Sequence, residues 1–137
     1  MVSADHSSSC GFSDEGIPHY AGGAAGWVVR LANGISLYHA GDTGVFGDMA
    51  IINDFYKLTH MCLPIGGNFT MGPEEAAYAV KKFLGSAHTI IPMHYMTFPL
   101  LKGDHPAFAA EMQKLGCPTA PIDSYADLLG KWMDLSP

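Results

Sequence analysis

Two short, almost continuous apolar runs limit the folds open to this chain more than any other feature. They are HMCLPI (60–65) and HTIIPM (88–93), and each has the length and composition of a buried strand. Between them lies PEEAAYAVKKFLG (73–85), which begins with a proline, has glutamates in its first turn and lysines in its last, and stops at a glycine. Strands that alternate with helices are typical of an α/β sheet.

Two further strands are predicted earlier in the chain. They are GWVVRLA (26–32) and ISLYHA (35–40), and both are flanked by turn signals. Asn33-Gly34 joins them, and this dipeptide favours a tight hairpin because both residues tolerate a positive φ. Residues 7–26 are rich in Ser, Gly and Ala, and we expect a long loop there.

Two more helices complete the predicted elements. One covers MAIINDFYK (49–57), and the other is marked by Phe108, Met112 and Leu115 and ends at Gly116. The chain has 137 residues, of which 48% are hydrophobic, and this is enough for the core of one globular domain. The sequence therefore predicts one α/β domain.

Composition and charge argue against several partners. The formal net charge is −6 and lysines and arginines form no cluster, so nucleic acid is not expected as a partner. No apolar run approaches the roughly 20 residues of a membrane helix, and MVSADHSSSCGF lacks the pattern of a signal peptide. Cys10, Cys62 and Cys117 show no CxxC spacing, so we expect free thiols and a cytoplasmic protein.

Three potential metal ligands follow predicted strands. Asp42 comes after ISLYHA, His94 comes directly after HTIIPM, and His6 follows a short N-terminal run. In α/β sheets functional groups gather outside the carboxyl ends of the strands, and imidazole with carboxylate suits zinc, iron or manganese. Each residue also has a plainer interpretation: a loop histidine for His6, a turn-forming aspartate for Asp42, and a half-buried polar residue for His94.

The triplet Asp42-Thr43-Gly44 also permits a different class of enzyme. The same triplet forms half of the active site of dimeric aspartic proteases, and the chain has a compatible length. Those proteases are almost wholly β, however, whereas three helices are predicted after the triplet. A homodimeric aspartic protease that uses Asp42 is therefore a remote third hypothesis.

Four segments together resemble the metallo-β-lactamase superfamily of metal-dependent hydrolases, in particular its cytosolic branch that includes L-ascorbate-6-phosphate lactonase. They are YHAGDTG (38–44), LPIGGNFTMGPEEA (63–76), IPMHYMTFP (91–99) and ADHSSS (4–9). The resemblance implies an αββα sandwich in which this chain forms the C-terminal half. It also implies that Asp42 bridges two metal ions. His6 would complete the coordination shell of one ion and His94 that of the other. The resemblance favours zinc or manganese, with iron possible.

The resemblance also implies a reaction and its substrates. Two metals share a hydroxide that attacks a carbonyl or phosphoryl group, and small phosphorylated lactones or similar esters are the expected substrates. Gly67, Asn68 and Tyr95 lie beside the ligand segments and are candidates for contact with the substrate. The alternative is that Gly67 and Asn68 only form a turn and that Tyr95 only flanks His94. We expect His39 not to bind metal itself, but either to hold the ligands in position or to pack in the core.

One departure from the family pattern limits these expectations. The motif HxHxDH, which supplies four ligands from the N-terminal half of such domains, does not occur in residues 1–137. We therefore expect the isolated chain to be inactive. It should need a partner to complete its fold and its metal site, which is either the missing N-terminal half or a second copy of itself. With a second copy it would be a homo-oligomer. A non-catalytic half-domain that acts in binding or assembly is the alternative.

Overall fold

The computed structural model describes residues 1–6 and 9–122. Seven strands and three helices lie in these residues. The strands are β1 (Val2–Ser3), β2 (Ser9–Phe12), β3 (Pro18–Gly22), β4 (Ala25–Arg30), β5 (Ser36–His39), β6 (His60–Pro64) and β7 (Thr89–Met93). The helices are α1 (Met49–Tyr56), α2 (Pro73–Lys82) and α3 (His105–Lys114). The predicted α/β class is confirmed. The three predicted helices and the four predicted strands are also confirmed, with bounds that differ by a few residues. None of these helices is long and apolar enough to cross a bilayer.

Five strands form one mixed sheet in the order β1-β4-β5-β6-β7. The strands β4 and β5 pair antiparallel across the predicted Asn33-Gly34 hairpin, in which Gly34 has a φ of 90°. The strands β5, β6 and β7 are parallel, because α1 and α2 return the chain between them. The carboxyl ends of these three strands therefore meet at one edge of the sheet.

The prediction of a long loop over residues 7–26 is wrong for most of that segment. The strands β2 and β3 pair antiparallel from Ser9 to Gly22, and β4 already begins at Ala25. A short turn joins the two strands, in which the Gly16 amide donates to the Ser13 carbonyl over 2.9 Å. Small residues at strand positions hid this hairpin, since Ser, Gly and Ala have low β propensity. Residues 7 and 8 of the predicted loop lie outside the described residues.

One face of the sheet carries the core. In register across four strands lie Val28, Tyr38, Met61 and Ile90, and the last three are fully buried. They belong to one cluster with buried residues of all three helices, which include Met49, Ile52, Ala76, Val80, Phe108 and Met112. The helices therefore cover this face of the sheet.

The alternate row of side chains lies on the other face, which we call the open face and define by Trp27, Val29, Leu37, His39, Cys62 and Ile91. Trp27, His39, Cys62 and Ile91 are in register across the strands. Trp27 is 56% exposed and Val29 45%, whereas Leu37, Cys62 and Ile91 are half-buried. At one end of the same face His60 and Thr89 are buried. A largely apolar sheet face that is only half covered is a surface for further packing.

Tyr38 is buried without a partner for its hydroxyl among the described residues. We expect Tyr38→Phe to raise the free energy of unfolding by about 1 kcal/mol, because a buried polar group without a hydrogen bond costs about 1–3 kcal/mol. Urea unfolding at neutral pH, followed by circular dichroism, measures the difference. A clear loss of stability in this variant would show that the hydroxyl has a partner in solution.

The same residue makes stability depend on alkaline pH. Burial raises the pKa of Tyr38 from 10.0 to about 12 and the pKa of Cys62 from 9.0 to about 11. Between the unfolded and folded pKa values the unfolded chain binds fewer protons, so the free energy of unfolding falls as the pH rises. We expect this fall to begin near pH 9 and to be shallower above pH 10 in Tyr38→Phe than in the wild type. Equal slopes in the two proteins would contradict the assignment.

Candidate functional site

Asp42 lies in a tight turn at the carboxyl end of β5. Gly41 precedes it with a φ of 69°, and a side chain at that position would collide with the Ala25 carbonyl, so only glycine fits. The Gly41 amide donates to Nδ1 of His39 over 3.2 Å. His39 is exposed, so the core alternative for it is wrong, whereas its bond to the turn agrees with a supporting role.

Thr43 joins the N-terminal segment to this turn. Its hydroxyl is fully buried, accepts from the Asp5 amide over 2.9 Å and donates to the Gly44 carbonyl over 2.8 Å. The Gly44 amide in turn donates to the Asp5 carbonyl over 2.8 Å. These bonds place His6, the next residue along the chain, beside the turn that carries Asp42, with its side chain exposed.

Asp42 and His94 come together at the same edge of the sheet. Oδ1 of Asp42 lies 3.6 Å from Nε2 of His94, which is beyond hydrogen-bond range but within that of an ion pair if the imidazole is protonated. His94 directly follows β7 in a left-handed conformation with a φ of 54°. Its Nδ1 is buried and has no hydrogen-bond partner among the described residues. The structure therefore brings these two side chains together, and their role in a common metal site stays a prediction.

The loop after β6 packs directly against both segments. The α-carbon of Gly66 lies so close to the His94 carbonyl that a side chain would collide with it. The Met71 amide donates to the Thr43 carbonyl over 2.9 Å, and the Gly67 amide donates to the Met71 carbonyl over 3.0 Å. The loop therefore lines the turn that carries Asp42.

The three residues predicted to contact substrate differ in their surroundings. Asn68 is exposed at the tip of this loop with a φ of 62°, and Gly67 precedes it with a φ of 73°. Tyr95 is half-buried and packs against the core. Substrate contact remains a prediction for all three, and for Tyr95 the structure supplies a packing role as well.

In the part of the chain that the structure describes, the donors at this edge suit a metal ion in kind but not in number. Carboxylate and imidazole at one edge have the right chemistry for zinc or manganese. Within residues 1–6 and 9–122, however, no group of three or more His, Cys, Asp or Glu side chains is arranged to hold a metal ion. A catalytic zinc needs at least three protein ligands. The described residues therefore do not form a complete metal site.

Sequence patterns give no sign of the part that Thr43 plays in holding the site. The role of Thr43 depends on a hydrogen bond to a residue 38 positions away, and a contact of that kind has no local pattern. The aspartic protease hypothesis fails, because the turn with Asp42 lies in a mixed sheet with parallel strands and three helices among the described residues.

The fold and the site define the class of protein. A mixed sheet with helices on one face, and with carboxylate and imidazole groups at the carboxyl edge of its parallel strands, is typical of α/β enzymes. The sequence profile described as "Beta-lactamase superfamily domain" matches residues 1–95. The chain therefore belongs to the metallo-β-lactamase superfamily.

Similar proteins are named "UPF0173 metal-dependent hydrolase". The protein from Myxococcus xanthus is 48% identical over 115 residues, which are 84% of this chain and 40% of the relative. The protein from Methanosphaera stadtmanae is 42% identical over 125 residues, which are 89% of this chain and 52% of the relative. The chain thus spans about half the length of these curated relatives or less.

A solved structure agrees with the fold. It is Igni18, described as a novel metallo hydrolase from the archaeon Ignicoccus hospitalis, with 32% sequence identity and a TM-score of 0.66. The similarity covers 89% of this chain and 47% of that chain. Here too the chain corresponds to about half of the larger protein.

The hydroxyl of Thr43 offers a test of how the site is held. We expect Thr43→Val to lose at least about 1 kcal/mol of stability, because the part-buried Asp5 amide then lacks its acceptor. The ring signals of His6 in proton–carbon NMR spectra should shift as the N-terminal segment moves.

Thr43→Ser is the matched control, since it keeps the hydroxyl and removes one methyl group worth about 0.8 kcal/mol. If the valine and serine variants have the same stability and the same His6 signals, the hydrogen bond does not hold this segment.

Proposed function

We propose that this chain supplies part of the catalytic centre of a metal-dependent hydrolase. The observation that carries the proposal is the pair formed by Asp42 and His94 at the carboxyl edge of the parallel strands, with His6 held beside it through Asp5. The names of the similar proteins support the same activity. A bound divalent metal would supply a water of lowered pKa as nucleophile.

In this proposal the three side chains act as ligands and the remaining ones come from elsewhere. Asp42 would be a ligand of both ions, His6 of one and His94 of the other, and zinc or manganese is favoured, with iron a third choice. The other four ligands belong to an HxHxDH segment outside residues 1–137, either in the same protein or in a separate chain. This arrangement explains why the described residues hold no complete site.

The chain would then correspond to the C-terminal half of the sandwich, of the branch that resembles L-ascorbate-6-phosphate lactonase. The lengths of the similar proteins support this proposal, since the chain spans 40% of one and 52% of another. Substrates would be small metabolites with a lactone or phosphoester-type bond, and Gly67, Asn68 and Tyr95 would contact them.

The open face supplies the surface on which the other half packs. Trp27 is 56% exposed there and Val29 45%, whereas Tyr38, Met61 and Ile90 on the opposite face of the same sheet are fully buried. A sandwich needs a second layer over such a face. When the other half is absent, we propose that a second copy of this chain covers the face instead.

A non-catalytic role is the second candidate. The lack of a complete metal site within the described residues favours it. In that case the chain acts as a binding or assembly module and stays free of metal even beside the other half. The two candidates thus differ in what happens when the domain is completed.

Metal content and hydrolysis give the first test. We expect the isolated chain to bind zinc and manganese weakly and to hydrolyse nothing at an enzyme-like rate. Fusion to the part of the Myxococcus xanthus relative that this chain does not cover should give stoichiometric metal and turnover of lactones or phosphodiesters. Asp42→Asn in the fusion should lower turnover by more than about 100-fold, since loss of an outer-shell partner alone costs up to about that much.

Asp54→Asn is the matched control, because Asp54 is an exposed aspartate that pairs only with Lys57 at 2.7 Å among the contacts described. It should leave metal content and turnover unchanged. Tight metal binding with turnover by the isolated chain would overturn the need for the other half. A fusion without metal would favour the binding module.

Light scattering tests the use of the open face. We expect the isolated chain to form at least a dimer at micromolar concentration. Trp27→Ser should weaken association by at least about tenfold, because buried tryptophans dominate interface energies. Phe55→Ser is the control, since Phe55 is 74% exposed but lies on α1, on the helix side of the sheet. A compact monomer in the wild type would contradict this proposal.

A further inference from the structure

Two exposed phenylalanines form a stacked pair beside the candidate site. The ring centroids of Phe69 and Phe98 lie 6.0 Å apart with an angle of 29° between the ring planes. Phe69 is 49% exposed and Phe98 42%, so one side of the pair faces solvent. Stacked aromatic faces in that position are a surface for apolar or ring-shaped groups.

The backbone holds this pair at the rim of the site. Phe69 lies two residues before Met71, whose amide donates to the Thr43 carbonyl. Phe98 lies four residues after His94, whose carbonyl is in contact with Gly66. The two loops that carry the rings are thus the two loops that meet at Asp42 and His94.

The backbone conformation of these loops is unusual. Asn68, His94 and Met96 have φ values of 62°, 54° and 55°, and the only other described residue besides glycine with a positive φ is Lys57. Left-handed conformations of such residues carry a cost and often mark functional sites. Three of the four therefore gather in the loops that present the aromatic pair.

The same loops offer no fixed charge to an anion. Residues 66–72 and 94–101 contain no Lys, Arg, Asp or Glu. Phosphate groups are held chiefly by arginine and lysine side chains or by several backbone amides. The nearest charges along the chain are Glu74 and Glu75, which disfavour an anion, and the exposed Lys102, which follows the buried Leu101.

We propose that Phe69 and Phe98 bind a neutral, apolar or aromatic part of the substrate, so that the site takes uncharged esters or lactones rather than phosphorylated ones. This inference rests on the proposed function and narrows it. The pair acts through contact with the group next to the scissile bond, and Asp42 and His94 lie on the reacting side. Phe69 and Phe98 are thus residues that determine specificity.

Binding to the metal-free chain tests this inference separately from catalysis. The probe is acetanilide, a neutral aryl amide with the shape of phenyl acetate, and inorganic phosphate is the second probe. Titrations followed by proton–carbon NMR report on Phe69, Phe98 and His94. We expect acetanilide to shift these signals in a saturable way and phosphate to leave them unchanged.

Variants locate the binding surface. Phe98→Ala should weaken acetanilide binding by at least about fivefold, in line with the worth of one aromatic contact, and Phe98→Leu should weaken it less. Phe55→Ala removes a more exposed ring on α1. Lys102→Ala removes the nearest cation along the chain. Neither change should alter the affinity. Backbone spectra check that each variant keeps its fold.

Each outcome decides the question. Absence of acetanilide binding, or equal affinity in the wild type and Phe98→Ala, would overturn the inference. Saturable phosphate shifts at His94 that are lost in Lys102→Ala would overturn it in favour of phosphorylated substrates. Failure of metal binding in the completed domain would leave these titrations unaffected, so it would refute the proposed function and not the aromatic surface itself.

Discussion

The site depends on one buried threonine. The hydroxyl of Thr43 accepts from the amide of Asp5, and its carbonyl accepts from the amide of Met71. Three segments far apart in sequence, the N-terminus, the end of β5 and the loop after β6, therefore meet at one residue with no exposed surface. The bond from the Met71 amide to the Thr43 carbonyl joins two fully buried residues, so neither group can exchange its partner for water without a cost. The positions of His6 and Asp42 follow from this junction.

The elements were predictable where the local pattern was strong. The helix α2 shows its start in Pro73 and its end in two lysines, and the structure places it at Pro73–Lys82. The strands β6 and β7 are short apolar runs, and one row of their side chains is fully buried at Met61, Leu63 and Ile90. The hairpin of β2 and β3 was missed, because its strands carry serine, glycine and alanine, and pairing across the hairpin rather than propensity forms them.

The sequence predicts which side chains meet at the edge of the sheet, but not the contacts that hold them in place. Asp42 and His94 follow strands that end at one edge, so their meeting follows from parallel topology. The bond of His39 to Gly41, the contact of Gly66 with His94 and the stacking of Phe69 on Phe98 all join residues on different elements or across a turn. Such contacts depend on how loops fold against one another, and no periodicity in the sequence encodes them.

The parallel arrangement of β5, β6 and β7 has a consequence for how such a protein can diverge. All the loops that surround Asp42 leave the sheet at one edge, whereas the buried cluster of Tyr38, Met61 and Ile90 lies along the strands themselves. Mutations at the loop tips therefore change what the site accepts without disturbing what keeps the chain folded. Substitutions at a few exposed positions can therefore give such a protein a new substrate, while the free energy of unfolding stays nearly constant.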